Sequence, residues 1–277
     1  MRRILILAVV ALCAVAGARA QDGVEVPFVT TPDHVTLAML QLAGVTPRDR
    51  VIDLGSGDGR IVITAAKRFG ASGLGVEIVP DLVARSREHA ERAGVSKRAR
   101  FAEQDLFKTD LGDATVITMY LLPEVNLQLR PRLLELKPGT RIVSHDWDMG
   151  DWRPDRTVTL AVPQKTVGRE KLSRLHRWVV PARMAGTWCA GDGSSLTVKQ
   201  HYQYVEATLV RRSETTDWGG RLDGALLRLV GPGPGRTLVA GAVDGDRLVL
   251  PSTEHGLPRA WNRAAAGQST CTAATRP

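Results

Sequence analysis

The sequence predicts an α/β domain followed by a small antiparallel β domain. In the first half, apolar strand-like runs alternate with amphipathic helical segments, which implies right-handed crossovers and a parallel sheet with helices on both faces. After about residue 155, short β-like runs are separated by glycine, proline and charged turns, as in a small sheet or barrel. The chain of 277 residues, 43% of them hydrophobic, is large enough for both cores.

The elements of the first domain follow from the period of their apolar residues. The predicted strands are Arg50–Leu54, Gly73–Ile78, Arg100–Glu103, Ala114–Leu121 and Thr140–Ser144. The predicted helices between them are Gly59–Phe69, Asp81–Ala93 and Val125–Leu136. In the second domain the β-like runs are Thr157–Val162, Leu196–Val198, Tyr204–Val210, Ala225–Val230, Thr237–Val243 and Arg247–Leu250.

The first twenty residues are typical of a targeting segment. Arg2 and Arg3 precede the apolar run Ile4–Ala16, and Ala18–Ala20 supplies the small residues that a signal peptidase recognises. We therefore expect a signal peptide at 1–20 and an exported chain, periplasmic or secreted. The alternative is an uncleaved N-terminal anchor, although the run is short for a membrane span and we expect no other span.

Charge is distributed unevenly, so the net value of +8 does not describe the whole chain. Residues 21–154 carry 17 Lys and Arg against 19 Asp and Glu, whereas residues 155–277 carry 17 against 10. The basic excess thus belongs to the second domain and matches no common nucleic-acid motif.

We divide the chain into the signal peptide, an α/β domain at 21–155, a β-rich domain at 156–264 and a flexible tail at 265–277.

A glycine-rich loop, Asp53–Arg60 (DLGSGDGR), follows the first strand and opens the first helix. Glycines allow a tight turn and close backbone approach to a ligand, and the G-x-G-x-G spacing differs from that of dinucleotide binders. Glu77 ends the next strand, where a carboxylate can hold two ribose hydroxyls, and Asp105 follows the third strand. These positions share the carboxyl edge of a parallel sheet, where ligands of open sheets bind.

The pattern resembles class I S-adenosylmethionine-dependent methyltransferases, and within them the ATP synthase c-subunit lysine methyltransferase family. The similar stretches are DLGSGDGRIV, GLGVEIVPDLVARSREHA, RARFAEQDLFKTDL, DW-x-P at Asp151–Pro154 and the upstream segment Val26–Pro32, which in that family closes over the cofactor. They cover roughly residues 27 to 155, about half of the mature chain. The resemblance implies a Rossmann-like methyltransferase sheet, S-adenosyl-L-methionine as cofactor and methyl transfer to a nucleophile, with a protein lysine as one candidate.

The resemblance also assigns roles. The glycine loop would cradle the amino-acid end of the cofactor, Asp53 would lie by its amino group, Glu77 would bind the ribose and Asp105 the adenine. Asp58 is either a loop stabiliser or a direct contact. The candidate cofactor-binding residues are Thr31, Asp53, Gly55, Ser56, Gly57, Asp58, Gly59, Glu77 and Asp105.

The acceptor side is less specific. The segment Thr118–Pro123 lacks the Asn/Asp-Pro-Pro-aromatic motif of many amine methyltransferases and departs from the Phe-Gly-x-Pro pattern of the lysine enzymes. The acceptor is therefore open between a protein side chain and a small molecule. Tyr120 either lines the acceptor pocket or is a core aromatic residue.

A polar stretch follows the fifth strand. His145 is a candidate base and Asp148 a candidate carboxylate that orients an amine; the alternative is a capped, solvated loop. The histidines are scattered without ligand-like spacing, so we expect no metal site.

In the second domain, aromatic residues and arginines form either a binding surface for an anionic partner or a core with a basic exterior. The aromatic segments are Arg177–Ala182, Gly186–Trp188 and Gln200–Tyr204, and the arginines are Arg211, Arg212, Arg221 and Arg228. Cys189 and Cys271 could pair in an oxidising compartment, but their separation in sequence does not decide this.

Three functions compete: a methyltransferase, a fold that binds cofactor without turnover, and an envelope adaptor that recognises partners through its β domain. The signal segment keeps the last two open, because S-adenosylmethionine is made in the cytosol and an exported enzyme needs a supply.

Overall fold

The computed structural model describes residues 29–166, 170–232, 238–250, 257–265 and 271–272. The predicted signal peptide and most of the predicted tail lie outside these ranges. No helix in the described ranges is long and apolar enough to cross a bilayer.

Helices and strands alternate through the first part of the chain. The helices are α1 (Asp33–Ala43), α2 (Arg60–Phe69), α3 (Pro80–Arg92) and α4 (Pro123–Leu133). The strands are β1 (Arg50–Leu54), β2 (Ser72–Glu77), β3 (Ala99–Glu103), β4 (Val116–Met119), β5 (Arg141–His145), β6 (Arg156–Ala161) and β7 (Leu172–Val179).

Within the described residues these strands form a seven-stranded sheet in the order β3-β2-β1-β4-β5-β7-β6. The strands from β1 to β5 are parallel to one another, whereas β7 is antiparallel to both β5 and β6. Leu54 is in register with Val76 on one side and Met119 on the other, so the carboxyl ends of β1, β2 and β4 are level. Strand order reverses between β1 and β4, which is where open α/β sheets bind ligands.

Both faces of the sheet are covered by helices, as predicted. In β1, Val51 packs in a cluster with residues of α1 and α2, such as Met39 and Ala65. The next residue, Ile52, points to the opposite face and packs in a cluster with Leu129 of α4. This alternation follows from the two-residue period of a strand.

The sheet continues past residue 155, where the sequence pattern places a domain boundary. β7 pairs with β5 from Arg141↔Val179 to His145↔Leu175, and β6 pairs with β7. The β6–β7 hairpin therefore belongs to the first domain, although we expected its residues in the second. The composition after residue 155 predicts strands but does not indicate which sheet they join.

The second domain is a closed antiparallel barrel. Among the described residues its strands are β8 (Gly186–Ala190), β9 (Ser195–His201), β10 (Tyr204–Arg211), β11 (Glu214–Asp223), β12 (Leu226–Val230), β13 (Leu238–Asp244), β14 (Arg247–Val249) and β15 (Ala260–Arg263). Trp188, Leu227, Leu248 and Trp261 are almost fully buried and belong to its core. The interior of a barrel of this size is filled by side chains.

The aromatic residues of the second half are mainly core residues. Trp178 is buried in the first domain and Trp188 in the barrel. Arg221 forms an ion pair with Asp155, next to the junction between the domains. For these side chains the structure favours the core alternative over a binding surface.

A disulfide joins Cys189 of β8 to Cys271, with the two Cα atoms 5.4 Å apart. The pairing that sequence separation left open is thus present, and it attaches a residue of the predicted flexible tail to the barrel.

Gln203 connects the barrel to the first domain. It is fully buried, accepts a hydrogen bond from Trp152 Nε1 at 3.1 Å and donates one to the Arg153 carbonyl at 2.8 Å. Trp152 also packs against the rings of Trp178 and Tyr202. Through Trp152 and Arg153, the DW-x-P segment thus forms part of the contact between the first domain and the barrel.

Candidate functional site

The glycine loop joins β1 to α2 through left-handed backbone. Gly55, Gly57 and Gly59 have φ values of 74°, 53° and 83°, a region that residues with a Cβ rarely adopt. A Cβ on Gly59 would lie 2.6 Å from the ring of Phe101. Glycine is therefore required at this position for both conformation and space, and the loop presents bare backbone to a ligand.

Glu77 connects the end of β2 to this loop. Its Oε2 accepts a hydrogen bond from the Gly57 N–H at 2.9 Å, and its Oε1 accepts from the N–H groups of Ile78 and Val79 at 2.9 and 3.2 Å. Oε1 thus already accepts two hydrogen bonds, whereas Oε2 accepts one and has a second lone pair with which it can accept a ribose hydroxyl.

Asp53 lies beneath the loop and is 2% exposed. Thr118 Oγ1 donates a hydrogen bond to it at 2.7 Å. Burial raises the pKa of Asp53 to about 7, and the charges of Glu77 and Asp58 also raise it. A cationic group nearby would favour the charged form of this carboxylate.

Ser56 adds an unsatisfied polar atom to the loop. Its Oγ is buried and has no hydrogen-bond partner in the part of the chain that the structure describes. Because buried polar atoms are almost always paired, a polar ligand at the loop would account for this hydroxyl. Together with the bare glycine backbone, it fits the amino-acid end of S-adenosylmethionine.

Arg60, which the sequence pattern does not single out, holds the loop closed. Its Nε and Nη2 donate to the two oxygens of Asp58 at 2.9 and 2.6 Å, and its Nη1 donates to the Thr31 carbonyl at 2.7 Å. Of the two alternatives for Asp58, the geometry favours the loop stabiliser. The sequence feature that could have identified Arg60 is its position directly after the last glycine of the loop, where it becomes the first residue of α2.

Asp105 follows β3 on the same edge of the sheet as Asp53 and Glu77. Its Oδ1 accepts a hydrogen bond from the Phe107 N–H at 2.8 Å, and Lys108 Nζ lies 3.7 Å from its Oδ2. The three carboxylates thus mark the carboxyl ends of three adjacent strands, as the sequence predicts.

The predicted acceptor-side residues Tyr120 and His145 are in contact. Their ring centroids are 3.9 Å apart. His145 is buried, with Nδ1 lying 3.3 Å from Thr31 Oγ1 and Nε2 lying 2.8 Å from Ser173 Oγ. Burial lowers the pKa of His145 to about 4 even though the charge of Asp146 opposes the shift. The imidazole is therefore neutral near pH 7.

Asp146, not Asp148, is the carboxylate beside these rings. Tyr120 donates a hydrogen bond to Asp146 Oδ2 at 3.2 Å, and Lys165 Nζ lies 2.7 Å from the same oxygen. Asp148 is exposed and accepts a hydrogen bond from Gly150 N–H in its own turn. The sequence feature that could have identified Asp146 is its position directly after His145, the last residue of β5.

Comparisons with known proteins agree on the first domain. The family model described as the ANTKMT methyltransferase domain matches residues 53–156. A protein-lysine N-methyltransferase of Saccharolobus islandicus is 45% identical over 136 residues, which are 48% of this chain and 84% of that protein. The ATP synthase c-subunit lysine N-methyltransferase of Mus musculus is 40% identical over 40% of this chain, and the chain spans only 45% of the mouse protein.

Among solved structures, an RNA methyltransferase from Salinibacter ruber in complex with S-adenosyl-L-homocysteine is 50% identical, with a TM-score of 0.52. The match covers 56% of this chain and 96% of that one. The predicted fold class, family resemblance and cofactor are confirmed. The chain therefore belongs to the S-adenosylmethionine-dependent methyltransferase family that includes the Saccharolobus islandicus protein-lysine N-methyltransferase.

Proposed function

We propose that this chain transfers a methyl group from S-adenosylmethionine to the ε-amine of a protein lysine. The observation that carries the proposal is Asp146, a carboxylate after β5 that accepts a hydrogen bond from Tyr120 and has an ammonium group 2.7 Å away. Relatives named as protein-lysine methyltransferases support this choice of acceptor.

The cofactor end of the site would be formed by residues already described. The glycine loop, Ser56 and Asp53 would hold the amino-acid end, and Glu77 and Asp105 the ribose and the adenine. When bound, S-adenosylmethionine supplies a methyl group on a sulfonium centre. The protein then has to align the acceptor with that methyl group and keep water out.

On the acceptor side, Asp146 is suited to bind a cation. Although burial opposes it, the hydrogen bonds from Lys165 and Arg174 and the neighbouring charges hold the pKa of Asp146 below its ordinary value. Burial and the adjacent Asp146 raise the pKa of Tyr120, so its hydroxyl remains a donor at neutral pH. A lysine ammonium placed here must lose a proton before it attacks, and Asp146 is the adjacent anion to relay it.

His145 is better suited to positioning than to proton exchange. Both ring nitrogens have hydroxyl partners, the side chain is 1% exposed, and the ring packs against Tyr120. We therefore assign His145 the task of orienting Tyr120.

The test is methyl transfer by the purified mature chain. It is incubated with methyl-labelled S-adenosylmethionine and an envelope extract, and labelled lysines are identified by mass spectrometry. We expect D146N to reduce transfer at low acceptor concentration by about tenfold, because a charged hydrogen-bond partner is lost. The matched control is D110N, since Asp110 is an exposed loop carboxylate that accepts only a local Gly112 N–H hydrogen bond among its described contacts.

Other outcomes would redirect the proposal. Label that resists protease but is lost on ribonuclease treatment would make RNA the acceptor, as the name of the Salinibacter ruber relative suggests. Binding of S-adenosylhomocysteine without any labelled product would instead favour a binding module.

We further propose that the mature chain is exported. The signal-like residues 1–20 and the Cys189–Cys271 disulfide support an oxidising compartment. A C-terminal reporter fusion, active only outside the cytosol, tests this directly. A full-length fusion without reporter activity would contradict export and point to an anchored chain facing inward.

A further inference from the structure

The β6–β7 hairpin brings one of the chain's own lysines to the acceptor side of the site. Lys165 lies between the two strands of the hairpin, and its Nζ contacts Asp146 Oδ2 at 2.7 Å. The same Nζ donates a hydrogen bond to the Leu172 carbonyl at 2.5 Å. Each partner of the ion pair has a side chain that is only 13% exposed.

The burial of this pair separates it from ordinary surface ion pairs. The Arg92–Glu88 pair, at 63% and 64% exposure, is solvated and contributes little, whereas the Arg141–Asp49 pair at 20% and 7% is sheltered to a similar degree. A sheltered pair costs desolvation of both charges, so the contact between Lys165 and Asp146 is by itself weak evidence for a stabilising role.

Attachment of the hairpin does not require Lys165. β7 is already paired with β5 along five residues of each strand. Two further hydrogen bonds join Asp146 and Arg174: the Asp146 N–H donates to the Arg174 carbonyl, and the Arg174 N–H donates to the side-chain oxygen Asp146 Oδ1. Asp146 is thus held in place without the lysine.

Lys165 places an ammonium group on the acceptor side of the site. It lies on the carboxylate that also contacts Tyr120, and Tyr120 packs on His145 at the carboxyl ends of β4 and β5. His145 in turn contacts Thr31, whose carbonyl is bound by Arg60 of the glycine loop. The ammonium therefore lies in the cluster that connects the acceptor side to the cofactor loop.

We propose that Lys165 is an internal competitor of the acceptor: its ammonium occupies the ammonium site at Asp146, the carboxylate that also binds the Tyr120 hydroxyl, and an incoming lysine must displace it. This inference rests on the proposed function. It makes Asp146 the residue that selects a cationic acceptor and the Lys165 side chain an autoinhibitory contact.

The occupancy of the site can be measured without cofactor or turnover. In the full mature chain, the Lys165 ammonium should give a slowly exchanging lysine ¹⁵Nζ signal, assigned by its loss in K165R and absent in D146N. Nα-acetyl-lysine methylamide should remove this signal, whereas the norleucine analogue, which lacks the ammonium, should not. Persistence of the signal at saturating lysine analogue would overturn the proposal.

Kinetics provide a second readout. K165M should lower KM for Nα-acetyl-lysine methylamide by about tenfold if the site is about nine-tenths occupied in the free chain, with kcat little changed. K165R keeps the cation and should leave KM close to that of the parent. An unchanged KM in K165M would refute the competition even if methyl transfer is robust, whereas displacement in the NMR titration without methyl transfer would refute the proposed function and leave the ammonium site standing.

Discussion

At the scale of single residues, Asp53 shows how burial makes a carboxylate responsive to a ligand. Its pKa is raised from 3.8 to about 7 by burial. Between those two values the folded state holds a proton that the unfolded state has lost, so the contribution of Asp53 to stability falls as pH rises through this window.

This shift predicts proton release when the cofactor binds. At pH 6 the free carboxyl is mostly protonated, and the amino group of S-adenosylhomocysteine favours its ionised form. Calorimetry at pH 6 in buffers of different ionisation enthalpy should therefore reveal release of about one proton per ligand, and D53N should abolish it. Binding enthalpy that is independent of buffer in the parent chain would contradict a contact between Asp53 and the amino group.

A comparison of Gly59 with Gly94 distinguishes the cost of a left-handed backbone from the cost of a steric clash. Gly59 and Gly94 have φ values of 83° and 68°, but a Cβ on Gly59 would lie 2.6 Å from Phe101, whereas one on Gly94 would have no heavy atom within 4 Å. We expect G94A to lower the free energy of unfolding by about 1 kcal/mol and G59A by about 3 kcal/mol or more. Equal losses in denaturant titration would show that the crowding at Gly59 relaxes.

At the scale of elements, Arg60 joins the segment before α1 to the start of α2. It donates to Asp58 with two nitrogens and to the Thr31 carbonyl with the third. Its planar fork suits this task in a way that a lysine ammonium does not. The contact sets where Thr31 meets His145.

We therefore expect R60A to weaken binding of S-adenosylhomocysteine by about tenfold, the loss typical of a charged hydrogen-bond partner, and R60K to recover only part of it. Calorimetry on the folded variants measures this. R92A is the control, because the exposed Arg92–Glu88 pair of α3 contributes little. An R60A affinity equal to that of R92A would mean that the segment before α1 does not shape the cofactor site.

At the scale of the whole molecule, the barrel and the methyltransferase sheet are coupled through Gln203. Its amide bonds to Trp152 and to the Arg153 carbonyl within a fully buried contact. Removing it leaves a buried indole N–H without an acceptor, which costs roughly 1–3 kcal/mol.

Q203A should accordingly weaken the coupling and broaden or divide the thermal unfolding transition. The affinity for S-adenosylhomocysteine should be retained, because the hydrogen bonds of the Gln203 side chain do not involve the glycine loop. Q128A, at an exposed position of α4, is the control. A single sharp transition at the parental temperature in Q203A would show that the domains are held together by other contacts.

The carboxyl edge of the sheet is the part of the site that the sequence predicts well. Asp53, Glu77 and Asp105 each stand at or just after a strand, and parallel strands bring such positions to one edge. Elements with a clear apolar period, such as β1 and α2, are predicted to within a residue of their ends. Both inferences need only local pattern and the geometry of a parallel sheet.

The rest of the candidate site depends on contacts between segments that are distant in the sequence, and the local pattern of apolar residues does not predict such contacts. Lys165 and Ser173 reach His145 and Asp146 because β7 pairs with β5, and composition after residue 155 is equally consistent with a strand of the barrel. Asp146 replaces Asp148 beside Tyr120 because β5 ends at His145 and the chain turns there with a positive φ. Sequence alone determined the family, the cofactor and the placing of Asp53, Glu77 and Asp105 at one edge of the sheet, since these follow from the glycine-loop motif and the parallel strands. Only the tertiary structure decided which side chains complete the acceptor side, because strand pairing brings together residues that are distant along the chain.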